Sequence, residues 1–520
     1  MKENSKVTRA AGVIGAATFV SRILGFIRDM VVAKVFGATL VADAFFVAFR
    51  ITNLLRELLA EGSMSAAFIP VFTEYLALRS KEEARELASA VFNLLFFILS
   101  GAVLLGIALS PYIVTLLAPG FAADPEKFAM TVYLTRIMFP YMLFIGLAAV
   151  TMGVLNSLGS FTAPALSPVM LNVSMIGSAL LVSPRMDNPI AGLALGVIFG
   201  GMLQLMVQIP PMKKKGMGIR LIWKPAHEGV KRVLRLAVPV VGSLAVTQIN
   251  IFVSSILASY LVVGSISYLY YATRLYQFPH GIFGIAIATA ILPAMSRQAA
   301  AEDHGSLRDT LSFGIRYVLF INIPAMVGLA VLGIPITSLL FQRGEFDYQA
   351  TVGTAYALVF FSAGLWAFSG VRIVNSAFYA LKDTGTPVRS ALMAATANVV
   401  LSLLLMKPLG HGGLALANSL ASIFNMLNLL YLFRKKMGPI GLRSILRSSA
   451  RTVAASAVMG LVCYYMSRSG IWAINGHTLE KAYIVGASVA TGIIVYAAMQ
   501  AAFKSEELAF IIGSFRKRLG

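Results

Sequence analysis

Residues 88–118 read ASAVFNLLFFILSGAVLLGIALSPYIVTLLA and contain no charged side chain. The run is longer than the ~20 apolar residues that a helix needs to cross a bilayer. Comparable apolar runs recur from one end of the chain to the other, which predicts a membrane protein. In hydrocarbon each crossing must be helical, because a helix satisfies its own backbone hydrogen bonds. The sequence therefore predicts an all-α membrane protein.

The apolar runs predict fourteen membrane-spanning helices. The composition agrees, since only 12% of the 520 residues are charged, against about 25% in soluble proteins. The single cysteine, Cys463, excludes an internal disulfide. The predicted spans are residues 12–37, 40–73, 88–118, 128–156, 161–183, 189–210, 236–262, 266–296, 312–341, 349–380, 388–407, 412–433, 445–467 and 481–503.

The net charge of +21 is distributed unevenly along the chain. If the N-terminus is cytoplasmic, about two thirds of the Lys and Arg fall in cytoplasmic loops and tails, as the positive-inside rule expects. This predicts a multi-pass protein of the bacterial inner membrane with both termini in the cytoplasm. The largest basic cluster, Lys213 to Arg235, has Trp223 as its one aromatic residue other than His227. A nucleic-acid partner is not expected, and contact with anionic lipid or a topology signal explains the cluster.

The chain repeats itself weakly at an offset of 221–224 residues. Gly192-Leu193-Ala194-Leu195 recurs as Gly413-Leu414-Ala415-Leu416, and Pro70 is echoed by Pro293. Six spans per repeat return the chain to the same side, so the two copies should be related by an axis along the membrane normal, with a substrate site at their interface. The predicted organisation is an N-lobe at 1–225, a C-lobe at 226–440 and a C-terminal helix pair with a basic tail at 441–520.

Eight basic side chains lie inside the predicted spans. An arginine at mid-bilayer costs roughly 2.5–3.5 kcal/mol even on the lenient insertion scale. Such residues persist where they face a wet or paired interior, which predicts a cationic cavity. For Lys34, near a span end, snorkelling is the better explanation. The eight are Arg22, Arg28, Lys34, Arg50, Arg56, Arg136, Arg274 and Arg372.

The polar residues of span two share one face. At 100° per residue they fall within an arc of about 80°, so the stripe should face the protein interior. Arg56 lies off this stripe. In span one, Arg22, Gly25 and Asp29 share a face, and Arg28 points about 120° away. The stripe consists of Asp43, Arg50, Asn53, Glu57 and Glu61.

Two interpretations of these charges stay open. The first is internal ion pairing, such as Arg28 with Asp43 or Arg50 with Glu57. The second is anion binding, because the eight bases outnumber the four acids within the spans and a phosphate or diphosphate matches the donor fork of arginine. Arg274 occupies the position in the second repeat that Arg50 holds in the first. Arg136 and Arg372 are either cavity residues or ties to a backbone carbonyl.

Several strings resemble the signature of the MurJ (MviN) family. They are SRILGFIRD from Ser21 to Asp29, Phe36-Gly37-Ala38, Asp43-Ala44-Phe45-Phe46, Asn53-Leu54-Leu55-Arg56, Ala60-Glu61-Gly62, the segment from Tyr270 to Pro279 and Leu340-Phe341-Gln342-Arg343-Gly344. The resemblance is collinear over essentially the whole chain. It implies a fourteen-helix lipid II flippase of the multidrug/oligosaccharidyl-lipid/polysaccharide (MOP) exporter superfamily, which moves undecaprenyl-diphosphate-linked peptidoglycan precursor between leaflets by alternating access.

The resemblance also implies roles for individual residues. Arg22, Arg28, Arg56 and Arg274 match family arginines that line the cavity and would bind the diphosphate, and Asp43 and Glu61 match membrane carboxylates of the family. From the charge pattern we also expect Arg50, the counterpart of Arg274, to bind the diphosphate. We expect Asp29, Asp43, Asn53, Glu57, Glu61 and Arg372 to support the site or gate it. Span seven carries Gln248 and Asn250 where some members have a sodium-binding aspartate, so we expect the membrane potential to drive transport.

Other functions are less compatible with these residues. The alternatives are a flippase for another polyprenyl-diphosphate oligosaccharide, a drug exporter of the same superfamily, and a scaffold of the cell-envelope machinery. No enzyme activity, catalytic residue, metal or cofactor is expected, because the five histidines are scattered and no nucleotide-binding loop occurs. The expected partners are the lipid-linked diphosphate, membrane lipids and the cell-wall synthesis machinery.

Overall fold

The computed structural model describes residues 2–57, 63–279, 281 and 284–519. Within these ranges the regular structure is helical and no strand occurs. The predicted all-α class is therefore confirmed. The chain divides into two compact units, Met1–Gly264 and Ser265–Gly520. The predicted boundaries at 225/226 and 440/441 refer to sequence repeats and stay predictions.

The first unit contains eleven α-helices among its described residues. They are α1 (Lys2–Phe36), α2 (Leu40–Arg56), α3 (Ser63–Leu78), α4 (Lys81–Ala108), α5 (Ser110–Leu117), α6 (Pro125–Met138), α7 (Tyr141–Ser157), α8 (Thr162–Gly177), α9 (Pro189–Met206), α10 (Ile209–Lys214) and α11 (Glu228–Ser259).

The second unit contains ten α-helices among its described residues. They are α12 (Ser265–Pro279), α13 (Ile285–Ala300), α14 (His304–Val331), α15 (Gly333–Phe341), α16 (Tyr348–Ser362), α17 (Leu365–Ala380), α18 (Gly385–Met437), α19 (Leu442–Ser467), α20 (Thr478–Ala502) and α21 (Glu506–Leu519). The long α18 is interrupted at Gly410, whose φ of 55° is not helical. Gly410 lies in the predicted connection between spans eleven and twelve.

Eight helical stretches of the described chain are long and apolar enough to cross a membrane. They are Lys81–Ala108, Pro125–Ser157, Thr162–Arg185, Pro189–Lys214, His304–Val331, Tyr348–Ala380, Gly385–Met437 and Thr478–Ala502. This supports a multi-pass membrane protein. The predicted span 40–73 is divided between α2 and α3, with residues 58–62 outside the described part. The count of fourteen spans stays a prediction.

Local sequence sets the helix ends in the first unit. Gly37 follows α1 with a φ of 61°, a left-handed conformation that glycine adopts without steric cost. Thr39 then caps α2. Ser80 and Glu83 form a reciprocal capping box at the start of α4. Tight turns of this kind bring the polar ends of successive helices together.

Each unit packs around its own apolar core. In the first unit α1 packs on α8, α2 on α6, and α3 on α11. In the second unit one core joins α13, α14, α17 and α18. The helices α19 and α20 pack on each other, and α19 also packs on α14. Tyr496 on α20 donates a hydrogen bond from Oη to the Phe320 carbonyl on α14 at 2.6 Å.

The order of helices is similar in the two halves of the chain. The long helix α4 is separated from the short α5 by one residue, Leu109, and α14 is separated from α15 by Leu332. Asp124 caps α6 and Asp347 caps α16, each through its side chain. Both pairs of residues are 223 positions apart, which supports the weak repeat found in the sequence.

Candidate functional site

The buried carboxylate of Asp43 joins three segments of the first unit. Asp43 lies in the first turn of α2 and is fully buried. Its Oδ2 accepts hydrogen bonds from Lys127 Nζ on α6 at 2.9 Å and from the Gly264 backbone N–H at 2.8 Å. A buried carboxylate is tolerated when it is paired and hydrogen-bonded in this way. Asp43 therefore ties α6 and the end of the first unit to the start of α2.

Sequence reasoning missed Lys127, because the predicted span begins one residue later. The signal was present in Asp124-Pro125, an N-cap followed by proline at the first helical position, which starts α6 before Lys127. The Lys127 side chain is 5% exposed and its Nζ lies 4.3 Å from the centroid of the Phe121 ring. The ammonium group is thus enclosed by a carboxylate and an aromatic face.

Further along α2, two charged side chains contact α11. Arg50 donates from Nη1 to Ser255 Oγ at 2.6 Å. Glu57 accepts from Gln248 Nε2 at 2.6 Å. Arg50 and Glu57 are seven positions apart, and so are Gln248 and Ser255 in the opposite chain direction. The two contacts are therefore two helical turns apart along antiparallel helices. Asn53, between them, is half-buried and donates to the Phe49 carbonyl of its own helix.

Arg28 is buried between α1 and α8. Its Nη2 and Nε donate to Asp29 Oδ1 at 2.7 and 3.0 Å, and its Nη1 donates to Asn172 Oδ1 at 3.2 Å. Asn172 in turn donates to the Ser21 carbonyl at 3.1 Å. Gly25 lies next to the Asn172 amide, and a Cβ there would be in van der Waals contact with it. Asn172 was not identified from the sequence, where it is a single amide in an apolar run.

The second unit places Arg274 against an aromatic ring. Its Nη2 donates to Tyr270 Oη at 3.1 Å, and the guanidinium carbon lies 4.9 Å from the centroid of that ring. The two residues are one helical turn apart on α12. The guanidinium is half-buried. The contact orients Arg274 without neutralising its charge.

The remaining predicted residues differ in burial. Arg22 and Arg372 are exposed, and Arg56 is half-buried in the last turn of α2. Glu61 lies outside the described residues. Arg136 is exposed and donates from Nε to the Ile107 carbonyl at 3.3 Å, which favours the tie to a backbone carbonyl. Lys34 is exposed, and snorkelling stays the prediction for it.

The chemistry available to these groups is binding. In the described part of the chain, no group of three or more His, Cys, Asp or Glu is arranged to hold a metal ion. The charged side chains of the first unit are fixed by contacts from several helices, and guanidinium groups at such positions can bind an anionic ligand. This arrangement and the fold define the class: an all-helical, multi-pass membrane protein.

Comparison with solved structures supports that class. A multidrug resistance MATE transporter of the MOP superfamily, solved in an inward-facing conformation, aligns with a TM-score of 0.61 at 15% identity, over 83% of this chain and 95% of that chain. At this identity the likeness concerns the fold alone. A lipid II flippase MurJ in an inward closed conformation aligns with a TM-score of 0.78 at 29% identity, over 94% of this chain and 98% of that chain.

The family follows from sequence. The family model "Lipid II flippase MurJ" matches residues 32–482. The probable lipid II flippase MurJ of Vibrio cholerae is 37% identical over 95% of this chain and 96% of its own length. The lipid II flippase MurJ of Burkholderia cenocepacia is 36% identical over 83% of this chain and 84% of its own length. The chain belongs to the MurJ family of lipid II flippases, and the resemblance found in the sequence is confirmed.

Proposed function

We propose that this chain is a lipid II flippase, which moves the undecaprenyl-diphosphate-linked peptidoglycan precursor from the inner to the outer leaflet of the bacterial inner membrane. The observation that carries the proposal is the family match over residues 32–482. The role is transport rather than catalysis. The proposed topology has fourteen spans with both termini in the cytoplasm, arranged as two six-helix lobes and a C-terminal helix pair.

We further propose that arginines bind the diphosphate headgroup. Arg28 supports this role, because its Nη1 contacts two neutral side chains, those of Asn172 and Met175, beside the contacts with Asp29. Its guanidinium is held in place by contacts with α8 and with Asp29, so the cost of ordering it is already met before the ligand binds. Arg274 is oriented by the ring and hydroxyl group of Tyr270. The proposed ligand residues are Arg22, Arg28, Arg50, Arg56 and Arg274.

The acidic and amide residues have a different proposed role. Asp43 and Glu57 accept hydrogen bonds that fix α2 against its neighbours, and Asn53 donates one within α2. Asp29 fixes the Arg28 guanidinium. We assign these residues, with Glu61 and Arg372, to supporting or gating the site during alternating access. A ligand shifts such an equilibrium only by its different affinity for the two states, and the diphosphate charge provides that difference.

Complementation of flippase-depleted cells tests the proposal. Arg28→Ala and Arg274→Ala should abolish growth at normal expression, whereas Arg136→Gln, which alters an exposed arginine outside the proposed ligand set, should support it. Normal growth with both alanine variants would contradict the role of the arginines. Native mass spectrometry of the purified protein tests the substrate separately, and we expect a co-purifying lipid II. A different polyprenyl-diphosphate oligosaccharide would overturn the substrate assignment.

A further inference from the structure

The connection between α10 and α11 is hydrogen-bonded to the side of α4. Residues 217–224, which we call the strap, lie along α4. Gly218 accepts a hydrogen bond from Arg85 Nε at 2.7 Å, and the Arg220 backbone N–H donates to Ser89 Oγ at 3.1 Å. Asn93 Nδ2 donates to the Arg220 and Ile222 carbonyls at 2.7 and 3.0 Å.

The contacts on α4 follow one face of the helix. Arg85, Ser89, Asn93 and Phe97 are spaced by four residues, and the Trp223 ring packs edge-on against Phe97 with centroids 4.9 Å apart. At 1.5 Å per residue this face extends for about 18 Å. Because α4 is long and apolar enough to cross a membrane, the strap lies along a helix that is a candidate membrane span.

The polar contacts explain how an irregular segment can lie there. Non-helical backbone at membrane depth requires partners for its N–H and C=O groups. Ser89 and Asn93 are buried polar residues in a helix that is otherwise rich in apolar side chains. The single amide group of Asn93 donates hydrogen bonds to two strap carbonyls. At an aqueous surface, water would satisfy these carbonyls and the amide would not be needed.

The strap exposes two large apolar side chains beside two basic ones, Arg220 and Lys224, which pair with Glu82 and Glu86 at the start of α4 at 2.6 Å. Leu221 is 92% exposed and Trp223 60% exposed, and they continue the exposed apolar surface of Phe96 and Phe97 on α4. Tryptophan is enriched where membrane meets water, because its ring is apolar and its N–H is polar. The surrounding segment, residues 213–235, carries eight Lys and Arg against one Glu. Arg220, Lys224 and Arg232 pair with carboxylates of α3 and α4, and the other five complement anionic headgroups.

We propose that the strap is a membrane anchor, and that lipid covers its exposed face. Leu221 and Trp223 insert among the upper acyl chains of one leaflet, and the basic residues around the strap bind anionic headgroups. Asn93 is a positioning residue that holds the strap at this depth. The proposal does not depend on which lipid the protein transports.

Depth-dependent fluorescence quenching tests the anchor in the full-length protein. The chain has three tryptophans, so Trp366→Phe with Trp472→Phe leaves Trp223 alone. In vesicles of phosphatidylcholine and phosphatidylglycerol, its emission should be quenched more by lipids brominated high on the acyl chain than by lipids brominated near its end. Aqueous iodide should quench it weakly. The matched control keeps the buried Trp472 alone, which we expect neither quencher to reach strongly.

Two outcomes would overturn the proposal. Strong iodide quenching without bromine quenching would place the strap in water, and protection from both quenchers would indicate a protein partner or a second copy. If the tryptophan variants fail to fold, Leu221→Cys in a Cys463→Ser background can carry a spin label. We then expect oxygen to relax the label severalfold more than a water-soluble nickel chelate, and Asn93→Leu to reverse that order. Equal relaxation in both backgrounds would also contradict the anchor.

Discussion

The first helix of each sequence repeat packs differently. The helices α1 and α11 end at residues 223 positions apart, Phe36 and Ser259. Nevertheless α1 packs on α8 within its own repeat, whereas α11 packs on α3 of the preceding repeat. In doing so α11 brings Gln248 and Ser255 to the charged residues of α2. The repeat in the sequence and the packing unit in the structure therefore have different boundaries.

The buried pair at the start of α2 offers the largest test of this packing. Lys127→Met leaves the Asp43 carboxylate buried without its ammonium partner, and removing one member of a buried pair costs about 3–5 kcal/mol. We expect a matching loss of stability in thermal unfolding of the purified protein. The double variant Asp43→Asn with Lys127→Met should recover most of it, because no charge is then left buried. A single variant as stable as the wild type would show that the pair does not hold α2.

The contact between Glu57 and Gln248 tests whether α11 belongs with α2. Gln248→Leu removes a hydrogen bond to a charged group, for which about 1.5–3 kcal/mol is typical. We expect a lower melting temperature, and little further loss when Glu57→Gln is added, since the two changes affect the same bond. Additive losses in this double-mutant cycle would mean that the residues act independently.

The repeated Gly-Leu-Ala-Leu motif tests what the two halves share. A Cβ at Gly192 would lie 2.7 Å from the Cα of Ser183, and one at Gly413 would collide with the Leu405 carbonyl. Because backbone cannot move aside cheaply, Gly192→Ala and Gly413→Ala should each cost about 1–3 kcal/mol. Gly486→Ala on α20, where nothing lies within 4 Å, is the control. A loss of stability at one position and not at the other would contradict a shared packing role for the motif in the two repeats.

The sequence was sufficient for the all-α class, because hydropathy is a local property of the chain. It placed Arg50 and Glu57 on one face of α2, and the structure shows both contacting α11. It did not reveal Asn172 or Gln248 as partners. Neutral amides in apolar helices carry no charge signal, and their role depends on which helices become neighbours. The repeat predicts a boundary near residue 225, whereas the first compact unit extends to Gly264. The spacing of the repeated motifs carries no information about the packing of α11 on α3.

The exposed pair of Asp383 and Lys436 contrasts with the buried pair of Asp43. Asp383 accepts from Lys436 Nζ at 2.6 Å and from the Thr386 backbone N–H at 3.0 Å. These contacts lower the pKa of Asp383 from 3.8 to about 2, and the hydrogen bond from Lys436 has the largest effect. The folded state therefore gains stability above the unfolded pKa of 3.8 and loses it as the pH falls towards 2.

Solvent makes this the smallest of the expected effects. The Lys436 side chain is 47% exposed, so screening limits the contribution to less than about 1 kcal/mol. We expect Asp383→Asn to be slightly less stable than the wild type at pH 6, and the difference to fall by about half at pH 3, measured by thermal unfolding. Lys436→Met should reduce both the difference and its pH dependence, because the main cause of the lowered pKa is gone. A difference that stayed constant from pH 6 to pH 3 would contradict the ionic origin of this contact.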